Sequence, residues 1–396
     1  MIFQVLDNKV ECVGFYHNKK FIKNDVPSNL NQTWDASPNF LRNDVEYAKL
    51  YAQVDTIDDV VLPPPLQEAW RGSTKQMKAF INCLQKSKVD LNDHCFYDLV
   101  PDSFLLNYCE NKNQITKFIF ENFSKPPNYS FLNEVNLLLT KIGSQKLKLD
   151  KDNVSKLLVK KGDFTSIQKF LNSSEKICYN LFKSKTGRLS TRKNSFPILA
   201  FTKRFRSILK PSNHWFLELD FNANELRVLI ALNGERQPEG DVHDWNIKNV
   251  FGGNGTREDA KKRVFAWLYN PDSADDCLSR FYDKEKILSK FYIDGKITTP
   301  FQRTMEADPF HALNYLIQST ASDLCLTQSL KINKLLEGRK SKITAVIHDS
   351  VLIDYNEEDK DYLKELVQCY GETDFGTFKV NVDAGVNYGE MKGLCK

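Results

Sequence analysis

The feature that most restricts the fold is a set of short strand patterns separated by a long helical stretch. Trp215–Phe221 has the pattern of a strand, in which Leu217, Leu219 and Phe221 fall on one face and Glu218 and Asp220 on the other. Ile343–Ile347 and Val351–Tyr355 have the composition of two strands around a polar tip, and residues 378–382 alternate in a last strand. Strands interrupted by a helical insertion predict an α+β sheet domain.

Helical periodicity fills the insertion and much of the chain before the first of these strands. Arg257–Tyr269 and Ala312–Leu336 are the clearest helices of the insertion. Residues from 66 to about 181 are also helical in pattern, and Pro126-Pro127 divides them. Leu62-Pro63-Pro64-Pro65 is the clearest linker, because three successive prolines continue neither a helix nor a central strand.

Size and composition limit the class of protein. With 396 residues, of which 41% are hydrophobic, the chain can form two or three subdomains. No run approaches 18 apolar residues and the N-terminus lacks a signal-peptide pattern, so we expect neither a membrane span nor secretion. The nine cysteines include no C-x-x-C pair, which argues against a disulfide framework or a zinc ribbon. We expect a soluble cytoplasmic protein with no membrane partner.

The positive charge of the chain is concentrated in one region. Between Lys141 and Lys210 there are 18 Lys and Arg against four acidic residues, a local charge of +14 in a chain whose net charge is +4. Such asymmetry indicates a polyanionic ligand, most simply nucleic acid. A solvated lysine-rich face is the alternative.

The helix predicted at Arg257–Tyr269 has a distinctive order of side chains. Thr256 and Asp259 have the spacing of a capping box, which sets the start of the helix. Two cations and then two aromatic rings follow at intervals of four residues: Arg257, Lys261, Phe265 and Tyr269. Because the helix dipole disfavours cations at its N-terminus, this order predicts an anionic ligand such as a triphosphate, with a base or sugar against Phe265. An amphipathic helix with an exposed basic edge is the alternative.

Asp220 and Asp349 form a second candidate site. Each lies at a strand end or at the tip of a hairpin, so the two carboxylates converge if their strands are neighbours. Close carboxylates repel unless they are protonated or bridged by cations, and Mg²⁺ prefers such oxygen ligands. An aspartate that merely forms a turn is the alternative for each of them.

Several short motifs occur in a fixed order between Thr186 and Lys392. They are Thr186-Gly187-Arg188-Leu189-Ser190-Thr191, Leu219-Asp220-Phe221-Asn222-Ala223-Asn224-Glu225-Leu226-Arg227, Asp241-Val242-His243, Val250-Phe251-Gly252, the Arg257–Tyr269 stripe, Asn314-x3-Gln318, His348-Asp349 and Tyr388-Gly389-Glu390. Together they resemble the ordered motifs of family A (polymerase I-like) DNA polymerases, over about half of the chain. The resemblance implies a right-hand architecture: an antiparallel palm sheet, helical fingers inserted at about 235–310, a helical thumb at 66–185 and the palm at 186–396. Separately, β-forming residues at Met1–Leu6, Val10–Tyr16 and Phe21–Ile22, with a turn at Asp7-Asn8, predict a small β-rich piece of unknown role at 1–61.

The resemblance also implies roles for individual residues. The metal-binding groups would be Asp220, Asp349 and the backbone carbonyl of Phe221, with two Mg²⁺ ions for which Mn²⁺ can substitute, and Lys261 would donate a proton to pyrophosphate. The residues that would bind the incoming dNTP are Arg257, Lys261, Phe265, His243, Glu225 and Tyr269. Those that would contact DNA are Arg188, Asn314, Gln318 and His348.

Three of these residues carry an expectation about substrate choice. Glu225 would occupy the space that a ribose 2′-hydroxyl needs and so select deoxynucleotides. Phe265 lacks a hydroxyl, so we expect discrimination against dideoxynucleotides. Tyr269 would guard the templating position. The alternative for Glu225 is that it is an ordinary surface residue on a helix, with no role in substrate choice.

The sequence also departs from the family pattern. Ser350 stands where the family usually has an acid after the aspartate of the His-Asp motif. Ala266-Trp267-Leu268-Tyr269-Asn270, with a bulky Trp267, stands where the family prefers Gly-x-x-Tyr-Gly, and Ser195-Phe196-Pro197 replaces its Pro-Asn-Leu-Gln run. Only 48 residues separate Tyr269 from Gln318, so we expect shortened fingers. Asp44-Val45-Glu46 has the spacing of a proofreading nuclease motif, but no clear strand precedes it, and we interpret it as the start of an ordinary helix.

The sequence therefore predicts a compact polymerase without a proofreading domain, which acts on primer-template DNA and dNTPs in replication or repair. A processivity factor, helicase or primase is an expected type of partner, and the Lys, Asn and Phe bias indicates a phage or bacterial source, with an organelle left open. Three alternatives stay open: a single-subunit RNA polymerase, a non-catalytic primer-template binding protein, and a metal-dependent nuclease. Glu225 argues against the first, the two aspartates against the second, and the Arg257–Phe265 stripe against the third.

Overall fold

The structure is a computed structural model that describes residues 3–6, 12–22, 27, 29–91, 94–151, 170, 173–270 and 273–394. Contacts divide the chain into two units, Met1–Ser144 and Gln145–Lys396. We describe each unit by itself. The finer division into regions 1–61, 66–185 and 186–396 stays a prediction.

The first unit combines short strands with three long helices. Its strands are β1 (Phe3–Leu6), β2 (Cys12–His17), β3 (Lys20–Ile22), β4 (Gln32–Thr33) and β5 (Glu46–Tyr47), and its α-helices are α1 (Ala48–Ala52), α2 (Pro64–Lys86), α3 (Asp102–Asn122) and α4 (Tyr129–Ser144). β1, β2 and β3 form an antiparallel sheet, whereas β4 and β5 are parallel. The strands expected near the N-terminus are therefore confirmed, while the turn expected at Asp7-Asn8 lies outside the described residues.

Two local expectations about the first unit are wrong. The proline run is not a linker, because Leu62 packs in a core with Trp70 and Ile115, and Pro64 opens α2. Proline fits the first turn of a helix, where its missing N–H leaves no hydrogen bond unmade. Glu46 does not start a helix either: it lies in β5, and the helix begins only at Ala48.

The second unit is built around one five-stranded sheet. Its strands are β6 (Lys148–Leu149), β7 (Tyr179–Asn180), β8 (Ser190–Thr191), β9 (Leu209–Lys210), β10 (Trp215–Phe221), β11 (Tyr292–Ile293), β12 (Lys296–Thr298), β13 (Thr304–Glu306), β14 (Lys342–Ile347), β15 (Ser350–Tyr355), β16 (Glu372–Thr373), β17 (Gly376–Thr377), β18 (Val380–Gly385) and β19 (Lys392–Gly393). Its α-helices are α5 (Asn224–Asn233), α6 (Val242–Asn249), α7 (Arg257–Tyr269), α8 (Asp276–Phe281), α9 (Lys284–Phe291), α10 (Ala312–Leu335) and α11 (Leu363–Gly371).

The main sheet has the order β14-β15-β10-β18-β19, and every neighbouring pair in it is antiparallel. β10 has the predicted bounds, and the hairpin predicted around position 349 is β14 and β15. Leu217, Leu219 and Phe221 are buried on one face, where the Phe221 ring stacks on Tyr370 of α11 at 4.4 Å. Alternation therefore places Glu218 and Asp220 on the other face.

The helical insertion is confirmed, since α5 to α10 lie between β10 and β14. The helical pattern expected from 66 to about 181 ends earlier, because residues 148–149 and 179–180 are strands. Residues 152–169 and 171–172, which carry part of the basic stretch, lie outside the described residues. The strand predicted at 378–382 is β18, which begins only at Val380, and Phe378 instead packs its ring against Phe221 at 5.5 Å. A further short strand, β19, follows it.

Candidate active site

Asp220 lies at the end of the central strand of the main sheet. It pairs with Ser350 of β15 on one side and with Asn381 of β18 on the other. Asn381 Nδ2 donates a hydrogen bond to Asp220 Oδ2 at 3.0 Å. Burial raises the pKa of Asp220 to about 7 against this hydrogen bond, and the negative charges of Glu218 and Asp349, among others, add to the rise.

Asp349 lies beside it, in the tight turn between β14 and β15. The turn is made by His348, whose φ of 53° is in the left-handed region. The Asp349 carbonyl accepts the Phe221 N–H at 3.2 Å and the Tyr370 hydroxyl at 2.9 Å. Burial raises the pKa of the Asp349 carboxyl, while a hydrogen bond from Asn224 opposes the rise. The condition set by the sequence is met: the strands that carry the two aspartates are neighbours.

The arrangement suits a hard divalent cation, although it is sparse. Two partly buried carboxylates with raised pKa values are stabilised when a cation comes between them. The Oδ1 atoms of Asn222 and Asn224 are buried and lack a hydrogen-bond partner among the described residues. Within that part of the chain, no three His, Cys, Asp or Glu side chains form a metal-binding group. Asp220 and Asp349 are thus a two-carboxylate site that needs further oxygen ligands from backbone, water or substrate.

A second charged pair borders the aspartates. The Arg188 guanidinium forms an ion pair with Glu225 in the first turn of α5, so two residues predicted to have separate roles contact each other. Burial raises the pKa of Glu225, and the Arg188 charge opposes that rise. Arg188, His348 and Asp349 line one small cavity.

The loop that carries Arg188 is fixed to α10 by polar contacts. Thr186 Oγ1 donates to Gln318 Oε1 at 2.6 Å, so Gln318 holds this loop. The Arg303 guanidinium forms a buried bidentate pair with Asp323, with contacts of 2.9 and 2.7 Å. Its Cζ lies only 2.6 Å from where a Cβ on Gly187 would be, and Gly187 has a φ of 72°. Only glycine fits this position, because both the conformation and the space exclude a side chain.

The helix α7 begins and ends as predicted, with the Thr256–Asp259 capping box in place. The anion that the sequence requires near its N-terminus is partly supplied by the protein itself. Arg257 donates to Asp241 Oδ2 at 2.8 Å. Although burial would raise it, the pKa of Asp241 is held at about 2 by this hydrogen bond and by the backbone N–H groups at the start of α6. Lys261, one turn further along, is exposed.

Aromatic rings continue this surface. Phe265 is 40% exposed and stacks on Tyr269 at 5.6 Å, and its ring lies 6.3 Å from that of His243. Burial lowers the pKa of His243, so its imidazole is neutral near pH 7, and its Nδ1 has no partner among the described residues. Trp267 points inward instead, with its Nε1 donating to Ser279 Oγ at 3.0 Å. The bulk that departs from the family pattern is therefore accommodated in the core of the insertion.

The structure thus gathers the predicted residues into two groups within the second unit. One group surrounds the end of the sheet: Asp220, Phe221, Asp349, Arg188, Glu225, Gln318 and His348. The other lies on α6 and α7: His243, Arg257, Lys261, Phe265 and Tyr269. Asn314 is in the first turn of α10, where its Oδ1 is buried and unpaired within the described chain.

Several residues that complete the site were not predicted. Asn381 and Asn224 hold the two aspartates, and Glu218 contacts Ser350. Arg227 is fully buried and donates to the carbonyls of Pro238 and Gly240, which anchors the segment leading to Asp241. Only the alternation in β10, which puts Glu218 on the face of Asp220, signals any of these contacts in the sequence.

Comparisons with known proteins agree with this geometry. No protein-family model matches the chain. It is 25% identical over 231 residues to a DNA polymerase of Mycobacterium phage D29, covering 47% of this chain and 37% of that protein. The chain therefore spans well under half the length of this relative. The polymerase domain of Pol1 from M. smegmatis, solved in complex with DNA primer-template and dNTP, has the same fold with a TM-score of 0.57 at 13% identity, covering 73% of this chain and 76% of that one.

These likenesses confirm the resemblance to polymerase I-like DNA polymerases that the ordered motifs indicate, and they fit the predicted α+β class. Among the described helices, none is both long and apolar enough to cross a membrane.

Proposed function

We propose that this chain is a DNA-directed DNA polymerase that adds dNTPs to a primer 3′ end. One observation supports the proposal most strongly. Asp220, at the end of β10, lies beside Asp349 in the turn before the neighbouring strand β15, burial raises the pKa of both carboxyls, and the fold is shared with a polymerase domain. The main sheet is the palm, the insertion at about 235–310 the fingers, and the helices within 66–185 the thumb.

The two aspartates hold the divalent cations. Mg²⁺, or Mn²⁺ in its place, would lower the pKa of the primer 3′-hydroxyl and offset charge on the triphosphate. Asn381 and Asn224 keep the carboxylates oriented, each by a hydrogen bond to one oxygen. Each carboxylate keeps a second oxygen that these two hydrogen bonds do not occupy.

The cationic stripe of α7 binds the incoming nucleotide. Arg257 and Lys261 offset the negative charge of the triphosphate as it builds up in the transition state. Arg257 is already oriented by Asp241, so less side-chain freedom is lost when substrate binds. Phe265 offers an exposed ring to the sugar, and Lys261 donates a proton to the leaving pyrophosphate.

Glu225 selects the deoxyribose. Its carboxylate is held by Arg188 beside the cavity that Asp349 lines, and a fixed side chain leaves no room for a 2′-hydroxyl. Arg188, Asn314, Gln318 and His348 contact primer and template through the minor groove, where shape is read more than sequence.

The test is primer extension with each class of nucleotide. A labelled primer on a template of defined sequence is incubated with Mg²⁺ and one dNTP or one rNTP at a time. The proposal predicts addition of only the complementary dNTP. Efficient addition of rNTPs would favour an RNA polymerase, shortening of the primer without nucleotides would favour a nuclease, and binding without extension would favour a non-catalytic protein.

A further inference from the structure

Position 350 is an informative departure from the family pattern. An acid is expected directly after the aspartate of the His-Asp motif, and this chain has Ser350 there. Ser350 is 3% exposed and pairs directly with Asp220 across the sheet. A serine carries no charge, so the site lacks one negative charge at this point.

A carboxylate from the neighbouring strand contacts that serine. Ser350 Oγ donates to Glu218 Oε1 at 2.7 Å. Glu218 lies two residues before Asp220 on β10, so their side chains project from the same face about 7 Å apart. The Glu218 carboxylate is therefore one hydrogen bond from the side chain that occupies the position of the missing acid.

The surroundings fix Glu218 in this place. Tyr388, which is 3% exposed, interacts with the Glu218 carboxylate from another side. The Arg206 guanidinium lies 4.6 Å from the centre of the Tyr388 ring. Ser350 and Tyr388 therefore restrain the Glu218 carboxylate from two sides. A side chain that places a charge beside a binding site needs such support.

A separate observation points to a ligand at the same end of the sheet. Asn224 is 1% exposed and donates its Nδ2 to Asp349 Oδ1 at 3.3 Å. Its Oδ1 has no hydrogen-bond partner in the part of the chain that the structure describes. Buried polar atoms are rarely left unpaired, so a ligand or its water is expected beside Asp349.

Building on the proposed polymerase function, we propose that Glu218 replaces the acid absent at position 350 and supports divalent-cation binding at Asp220 and Asp349. The negative charge has moved from β15 to the neighbouring central strand β10, and Ser350 links it to the site. Glu218 is a positioning and charge-supplying residue, since its carboxylate acts beside the two aspartates.

Glu218→Gln tests this inference, because glutamine keeps the size of the side chain and an oxygen that can accept from Ser350. Calorimetric titration of Mn²⁺ into the metal-free protein should show affinity weakened by about tenfold. The Mg²⁺ concentration for half-maximal primer extension should rise similarly. The matched control is Glu358→Gln, which removes an exposed carboxylate paired with Lys340 and should leave both measurements unchanged.

The double variant Glu218→Ser, Ser350→Glu returns the acid to the family position and should recover most of the cation affinity. Unchanged Mn²⁺ affinity in Glu218→Gln would overturn the inference. The inference would also be overturned if Glu218→Gln lost thermal stability and extension rate but kept the Mg²⁺ requirement of the wild type. That result is expected of a residue with a purely structural role. If the wild-type protein extends no primer, the polymerase function itself is overturned. If the wild type and Glu218→Gln extend the primer equally well at low Mg²⁺ concentration, only the role of Glu218 is overturned.

Discussion

Replacing Asp220 with asparagine should stabilise the metal-free protein at alkaline pH. The folded-state pKa of Asp220 is about 7, above its ordinary value of 3.8, so the folded state binds this proton more tightly than the unfolded state. The free energy of unfolding therefore falls as the pH rises from about 4 to about 7, and the full loss is present at pH 8. The introduced amide would carry no charge and would still accept the hydrogen bond from Asn381.

The size of the effect follows from the pKa shift. At 1.36 kcal/mol per pKa unit, a shift from 3.8 to about 7 sets an upper limit of roughly 4 kcal/mol. Asp220 is partly exposed, so solvent screening reduces this, and we expect about 2 kcal/mol. In a domain of this size that corresponds to a rise in Tm of roughly 4–8 °C.

Thermal unfolding in EDTA at pH 5 and pH 8 measures the effect. We expect Asp220→Asn to exceed the wild type in Tm at pH 8 and to differ little at pH 5. Adding Mg²⁺ at pH 8 should raise the Tm of the wild type and leave the variant unchanged. Asp383→Asn, on the same face of the sheet, serves as the control for removing a nearby charge. A variant that is less stable than the wild type at pH 8 in EDTA would refute the reasoning.

Three other predictions concern stability, substrate choice and DNA binding. Asp323→Ala leaves the buried Arg303 without its partner and should lower the free energy of unfolding by about 3–5 kcal/mol in urea. Asp308→Ala removes an exposed carboxylate paired with His311 and should have a much smaller effect. Glu225→Ala opens the space beside the sugar and frees Arg188, so kcat/KM for rNTPs relative to dNTPs should rise at least about tenfold in single-nucleotide extension. The logarithm of the association constant for primer-template DNA, measured by fluorescence anisotropy, should fall steeply and linearly with the logarithm of salt concentration, and a flat salt dependence would argue against lysine-phosphate contacts.

The elements that can be predicted from sequence are those fixed by local pattern. The strand β10 could be predicted because apolar and acidic residues alternate over 217–221, which places Leu217, Leu219 and Phe221 on a buried face and the two acids on the other. The bounds of α7 follow from the Thr256–Asp259 capping box, which satisfies the first backbone N–H groups of the helix. The two aspartates can be identified from their strand ends, and the sheet order brings them together.

What cannot be predicted depends on contacts between distant segments. The local sequence predicts a ligand anion for Arg257, yet the structure also gives it Asp241 from another helix. From the sequence, Ser350 indicates only that a negative charge is lost. Residues near it in the chain do not reveal that Glu218 contacts it from the neighbouring strand. The prediction that the prolines at 63–65 form a linker is wrong, because prolines are common both in linkers and in the first turn of a helix. The burial of Leu62 and the start of α2 at Pro64 show that they begin a helix.

The most direct test of the whole account is single-turnover nucleotide addition by Asp349→Asn. The substitution keeps the shape of the turn and an acceptor for Asn224 while it removes one of the two carboxylates. We predict that the rate of dNTP addition under saturating substrate, measured by rapid quench, falls by at least about a thousandfold, whereas the Kd for primer-template DNA changes less than about threefold. Addition at the wild-type rate would contradict the assignment of Asp349 to the reaction and with it the account of this site.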